Sequence, residues 1–180
     1  GSEMCIRDRG IMMKKTRLIN AALAAVLLTS FVAHAQWLTK VDDDLFTGGK
    51  KALMIGDLSS SNSGLIFDCT KNKLSVAYVE TDKSSDSVPT VAMDLIIKID
   101  GNPANKLEAS LSRRNAQAIE VGADDAEKIT AVLKQLQNAK SKILVGVQTQ
   151  DGGNQSSFSG NASGSTAATN SFIKACEISL

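Results

Sequence analysis

The chain has 180 residues and a nearly balanced charge, 20 Lys and Arg against 19 Asp and Glu. It therefore carries no basic footprint for nucleic acid and no cationic amphipathic face for a membrane surface. Aromatics make up 4% of residues, too few for a base-stacking platform or a broad sugar-binding face, so the core has to be built mostly from Leu, Ile, Val and Ala.

In chain order, residues 1–11 come first, with mixed charge. The string Ser2-Glu3-Met4-Cys5-Ile6-Arg7-Asp8-Arg9 resembles translated adapter sequence, and these eleven residues are expected to be a non-native leader that takes Cys5 out of consideration. Residues 12–35 read as a signal peptide. Lys14, Lys15 and Arg17 give a positive start, residues 18–32 are apolar apart from Asn20, Thr29 and Ser30, and Ala33-His34-Ala35 supplies a small-x-small cleavage site. The apolar run of about 15 residues is short of the roughly 20 that span a bilayer, so cleavage between Ala35 and Gln36 is expected rather than a retained anchor. No cysteine lies near Ala35 to take a lipid. The expected compartment is the periplasm, with secretion as the alternative, and no transmembrane segment is expected in the mature chain.

Residues 36–180 carry 15 Lys and Arg and 17 Asp and Glu, a formal 15 − 17 = −2, on one domain-sized length. Residues 37–41 predict a first strand, Asp42-Asp43-Asp44 opens a turn ending at Gly48-Gly49, and residues 51–57 predict a second strand. After a Ser-rich loop, residues 65–69 and 74–81 alternate as a hairpin. Residues 91–99 form the strongest strand signal. Asp100-Gly101-Asn102-Pro103 is turn chemistry and residues 106–113 return as its partner. Residues 118–121 add a short strand. Asp124-Asp125-Ala126-Glu127 opens a helix to residue 138, with Ile129, Val132, Leu133 and Leu136 at helical spacing. Residues 143–147 and 156–160 return to strand, and residues 166–176 close the chain as a second helix. The expected fold is mainly β (α+β): an antiparallel sheet or sandwich of seven to eight strands with two helices, one of them C-terminal, in a single domain over residues 36–180.

Two cysteines remain, Cys69 and Cys176. In an oxidising compartment an even pair reads as a disulfide, and no C-x-x-C spacing points to redox catalysis. The only histidine, His34, lies in the signal segment, which leaves no His-based triad or His-containing zinc site. Carboxylate chemistry and Ser–Lys chemistry remain. Ser171-Phe172-Ile173-Lys174 matches S-x-x-K, but Ser171 falls inside the predicted helix and the partner S-D-N and K-T-G elements are absent, so a solvated helix face is expected. Gly160-Asn161-Ala162-Ser163-Gly164 places its serine one position late for a nucleophile elbow and reads as a loop. Asp42-Asp43-Asp44 lacks the alternating ligand spacing of a calcium loop and reads as a solvated turn. Asp68, Glu80 and Asp94 lie on strands, and a pair of them facing one cleft would suit glycosidase-type acid/base work. Trp37 is expected to cap the core rather than anchor a surface. No catalytic, metal or cofactor residue is assigned.

A Trp opening the mature chain, an acidic turn, the strand ending in Cys69, and Phe158-Ser159-Gly160 ahead of an Ala-rich helix and Cys176 together resemble small periplasmic proteins of the type VI secretion-associated VasI/TagO type. A fainter likeness is to the invasion-associated locus B group. The resemblance covers most of residues 36–176 and is one of order and spacing. It implies a non-enzymatic envelope accessory protein with no catalytic residues to carry over. The function expected from the residues is binding, with an unknown envelope protein or small ligand as partner, and the alternative is a small periplasmic hydrolase using a Ser-Lys or paired-carboxylate site. Against the pattern, the segment from Phe158 to Cys176 is long and rich in Ser, Asn and Ala, and residues 107–113 lack an aromatic.

Overall fold

A computed structural model describes residues 36–180. The expected leader (1–11) and the expected signal peptide (12–35) lie outside the described residues; Gln36 is the first within them. In order the elements are β1 (Trp37–Asp44), β2 (Gly49–Asp57), β3 (Ser63–Thr70), β4 (Lys73–Thr81), β5 (Val91–Ile99), β6 (Asn105–Asn115), β7 (Ala118–Ala123), α1 (Ala126–Gln137), β8 (Lys142–Thr149), β9 (Gln155–Asn161) and α2 (Ser165–Ala175). All nine strands join one antiparallel sheet in the order β1-β2-β3-β4-β7-β6-β5-β8-β9. The sequence anticipates seven to eight strands. That total is low: all nine runs that read as strand are strands in the structure, and the short one at 118–121 is a full member, pairing with both β4 and β6. Of the two architectures left open, the single sheet is the one found.

The sheet curls into a half-barrel. Tyr78 on β4 and Phe158 on β9 stack with ring centroids 4.6 Å apart although β7, β6, β5 and β8 lie between their strands. Both side chains point to the same face, so the sheet bends toward it. Period-two alternation puts Met54, Leu65, Phe67, Val76, Leu95, Ile97, Leu107 and Val145 on this inner face, and all are buried. The open end is filled by the helices. Ile129, Val132, Leu133 and Leu136 of α1 and Ala168 and Phe172 of α2 are buried in the same cluster. Asp125 caps α1 as its acidic start predicts, accepting from the Lys128 N–H at 3.1 Å. The Ser165 hydroxyl at the start of α2 donates to the Leu136 carbonyl at 3.3 Å and ties the two helices together.

Trp37 is buried as expected, with its indole over Gly56 and its Nε1–H donating to the Asn161 carbonyl at 2.9 Å. A Cβ on Gly56 would lie 2.3 Å from that ring, so glycine is what lets the indole lie flat on β2. The Ser59 N–H bonds the Ser159 carbonyl at 2.6 Å, bringing the loop after β2 against β9. The disulfide joins Cys69 at the end of β3 to Cys176 after α2, with Cα atoms 6.1 Å apart and a sequence separation of 107. It fastens the C-terminal helix to the inner face of the sheet.

One carboxylate governs the far side of the half-barrel. Asp100, in the β5–β6 turn at φ +50°, accepts the backbone N–H groups of Lys140, Ser141 and Lys142 at 2.8, 3.0 and 2.8 Å. The bonds from Lys142 and Lys140 hold its carboxyl below the usual range. A depressed folded-state value means that its stabilising contribution is complete above about pH 4, the unfolded carboxyl range, and is lost as pH falls through the folded value. Asp100→Asn is therefore expected to flatten the acid limb of the stability curve, since Asn tolerates the left-handed backbone but does not titrate. Urea melts at a series of pH values check this, and an unchanged slope below about pH 4 would refute it.

Candidate functional site

On the outer face of the sheet a cleft of about 390 Å³ runs over β3, β4, β7 and β6. Its floor is made of small side chains: Ser75 and Ala77 from β4, Gly122 from β7, and Ser110 and Ser112 from β6. Over this floor lies Arg114. Its Nη1 donates to Glu120 Oε2 at 2.7 Å, and its Nη2 reaches both oxygens of Asp68 at 3.0 and 2.8 Å. Burial by itself would lower the guanidinium pKa, but the bonds to Asp68 and Glu120 outweigh it and the value is raised. All three side chains are only about a quarter to a third exposed.

A local irregularity in β6 places Arg114 there. Arg113 pairs with Ile119 and Asn115 with Ala118, so Arg114 is the extra residue of a β-bulge. A bulge re-aims its residue relative to the ladder. Arg113 turns instead to the loop after β4, where it bonds the Asp82 carboxylate at 3.0 Å and the Asp86 carbonyl at 3.2 Å. Sequence reasoning passed over Arg114 and Glu120. The available signal was that Arg113 and Arg114 are the only arginines after residue 35 and stand side by side.

Of the three strand carboxylates singled out in the sequence, only Asp68 enters this cleft. Glu80 lies on the inner-face side, accepting from the Tyr78 hydroxyl at 3.0 Å. Burial, then the bond to Glu80, pushes the Tyr78 pKa well up. Asp94 is buried on the outer face of β5, held by Gln148 Nε2 at 2.8 Å and Lys106 Nζ at 2.9 Å, and those two bonds depress its pKa. Glu120 and the exposed Asp124 line the cleft with Asp68, and the guanidinium occupies the space between Asp68 and Glu120 where a scissile oxygen and its water would have to sit.

The remaining sequence candidates are dispersed. Ser171 and Lys174 are both exposed on α2, and no hydrogen bond joins them among the described residues. Ser163 is exposed in the turn after β9, its N–H bonded to Asn161 Oδ1 at 2.8 Å. The three aspartates of the first turn go three ways. Asp42 pairs with Lys40 at 3.2 Å and Asp43 with Lys50. Asp44 turns in to accept the Phe46 N–H at 3.0 Å and the Thr47 hydroxyl at 2.5 Å. The Thr47 bond, then that of Phe46, lowers the Asp44 pKa. Among the described residues no group of three His, Cys, Asp or Glu side chains is placed to hold a metal ion, and no helix is long and apolar enough to cross a membrane.

Comparison with family models, with curated proteins and with solved structures finds no match for this chain.

Proposed function

We propose that this protein is exported to the bacterial envelope, is stapled there by its disulfide, and acts by binding rather than by catalysis. The observation that carries the reading is the Cys69–Cys176 bridge across 107 positions, downstream of a segment with the three parts of a cleavable signal. A bridge of this kind suits an oxidising compartment and is rare in a reducing one. The recognition surface in this reading is the Arg114 cleft. Its hydroxyls from Ser75, Ser110 and Ser112 and its mixed charges suit a small polar ligand or a polar segment of an envelope protein. Asp68 and Glu120 share that cleft, which is the feature a hydrolase reading would use. Binding is favoured because both are bonded to the same guanidinium. The likeness to the VasI/TagO type narrows the proposal further, to an accessory factor of a type VI secretion apparatus. Adjacent secretion-apparatus genes support that narrower step, and a neighbourhood without them removes it.

Osmotic-shock fractionation with mass spectrometry tests the main reading. The expected result is a chain beginning at Gln36 in the shock fluid, with Cys69 and Cys176 in one cross-linked peptide before reduction. Recovery of an uncleaved chain from the cytoplasm with two alkylatable thiols would overturn it. Recovery from the medium would leave the bridge and move the site of action outside the cell.

A further inference from the structure

The two edges of the sheet differ. On β9, Ser159 and Asn161 have their carbonyls taken by the Ser59 N–H and the Trp37 indole, while Gln155 and Ser157 at its start keep outward backbone groups without a partner among the described residues. On β1 the start is covered, the Gln36 N–H bonding the Ser163 carbonyl at 3.2 Å, but from Thr39 to Asp43 the edge is open among the described residues. The Asp57 N–H bonds the Gln36 carbonyl at 3.1 Å, and antiparallel alternation then directs the even-numbered residues of β1 toward β2. The backbone N–H and C=O groups of Thr39, Val41 and Asp43 point outward, and among the described residues none of them has a partner. An open edge of this kind is a template for another strand.

The same edge gathers exposed apolar surface. Among the described residues six large hydrophobics are exposed, and four of them, Leu38, Val41, Leu45 and Phe46, lie on β1 or its turn. Leu45 and Phe46 are 90% and 97% exposed. The turn that presents them is held by the buried Asp44, so they project from a fixed tip. Every other aromatic among the described residues is packed in or against the core.

We propose that β1 pairs with β1 of a second copy of this chain, antiparallel, about a two-fold axis through Val41. The register follows from the charges. With Val41 on the axis, Thr39 hydrogen-bonds the partner's Asp43 and Val41 the partner's Val41, using the groups that point outward. The close, non-hydrogen-bonded positions then set Lys40 against the partner's Asp42, and Asp42 against the partner's Lys40. These are the two side chains that pair along the strand at 3.2 Å in the single chain, both largely exposed. The other registers the backbone allows are worse. An axis at Thr39 sets Leu38 against the partner's Lys40, axes at Lys40 or Asp42 set like charges directly opposite each other, and an axis at Asp43 sets two aspartates face to face. The Val41 register also runs each Leu45–Phe46 tip along the start of the partner's β1, where Leu38 is exposed. The interface is isologous, so it closes at two copies and removes the edge that would otherwise propagate.

Sedimentation velocity over a concentration series tests this. The native chain is expected to show the mass of two copies. Lys40→Asp alone opposes two carboxylates at both symmetric positions and is expected to weaken association at least roughly tenfold. Asp42→Lys alone does the same with two ammonium groups. The double swap K40D/D42K restores the complement and the dimer. Val41→Pro removes the central donor at an edge position where proline is tolerated, and yields monomers with an unchanged circular dichroism spectrum. A monomer at every concentration overturns the proposal and assigns Lys40 and Asp42 to guarding the edge. A dimer indifferent to both Lys40→Asp and Val41→Pro overturns it too, by placing the interface elsewhere. Failure of the double swap to restore association overturns the Val41 register.

Discussion

Replacing Cys69 and Cys176 together by alanine is expected to lower the unfolding free energy by about 4–5 kcal/mol, the largest effect of any change short of breaking the sheet. The reason lies in the unfolded chain. The bridge closes a loop spanning 107 positions, and loop-closure entropy removed from the denatured ensemble grows with the logarithm of that length. In the native state the bridge joins the end of β3 to the end of α2, two elements already packed together through Phe67 and Phe172. A loss of this size lowers Tm by roughly 10–15 °C for a domain of this length. Urea unfolding of the variant beside reduced native protein checks it. The two should agree, since both lack the same constraint. A loss below about 1 kcal/mol in both would show that the bridge does not restrict the denatured ensemble as this account requires.

The second large effect is expected at Phe67. Its ring is fully buried, 6.5 Å from the Trp37 ring and 6.2 Å from the Phe172 ring, the latter edge-on. Phe67 is thus the contact through which the first strand, the sheet and the C-terminal helix share one core. Phe67→Ala removes the transfer energy of the ring and leaves a cavity that three different elements would have to close, for a cost of about 3–5 kcal/mol. Because Trp37 is the only tryptophan, its near-ultraviolet circular dichroism should lose intensity in the variant even where the chain stays folded. A loss under about 1 kcal/mol with an unchanged tryptophan signal would mean that the aromatic trio is not a unit. Phe67 and Cys69 lie two residues apart on one face of β3, so the alanine at 67 and the double cysteine replacement should not add independently.

These two results bear on how much of the molecule was readable in advance. The strands, the capped helix at Asp125 and the C-terminal helix announce themselves through short-range chemistry: period-two alternation, turn residues at Asp100-Gly101-Asn102-Pro103, and acidic residues at a helix start. The cysteine pairing was readable because only two cysteines lie after residue 35. The cleft was not. Arg114 reaches Asp68 only because a one-residue bulge turns it out of the ladder, and because Ser75, Ala77, Ser110, Ser112 and Gly122 leave the floor low. A bulge has no signature in alternation, since it is the point at which alternation slips. Asp68, Glu80 and Asp94 were equivalent as strand carboxylates, and only the pairing of strands decides that Asp68 meets Glu120 while the others are held by Tyr78 and by Gln148 with Lys106.

By itself the sequence determined the elements, the disulfide and the absence of histidine from residues 36–180, because each depends on residue type and local order. The tertiary structure decided that nine strands make one sheet curled far enough for Tyr78 to stack on Phe158, that Arg114 lies between two carboxylates, and that Thr39, Val41 and Asp43 of β1 face outward without a backbone partner among the described residues. Those outcomes depend on register and curvature, which are set by contacts between residues far apart in the chain and are carried by no single segment of it.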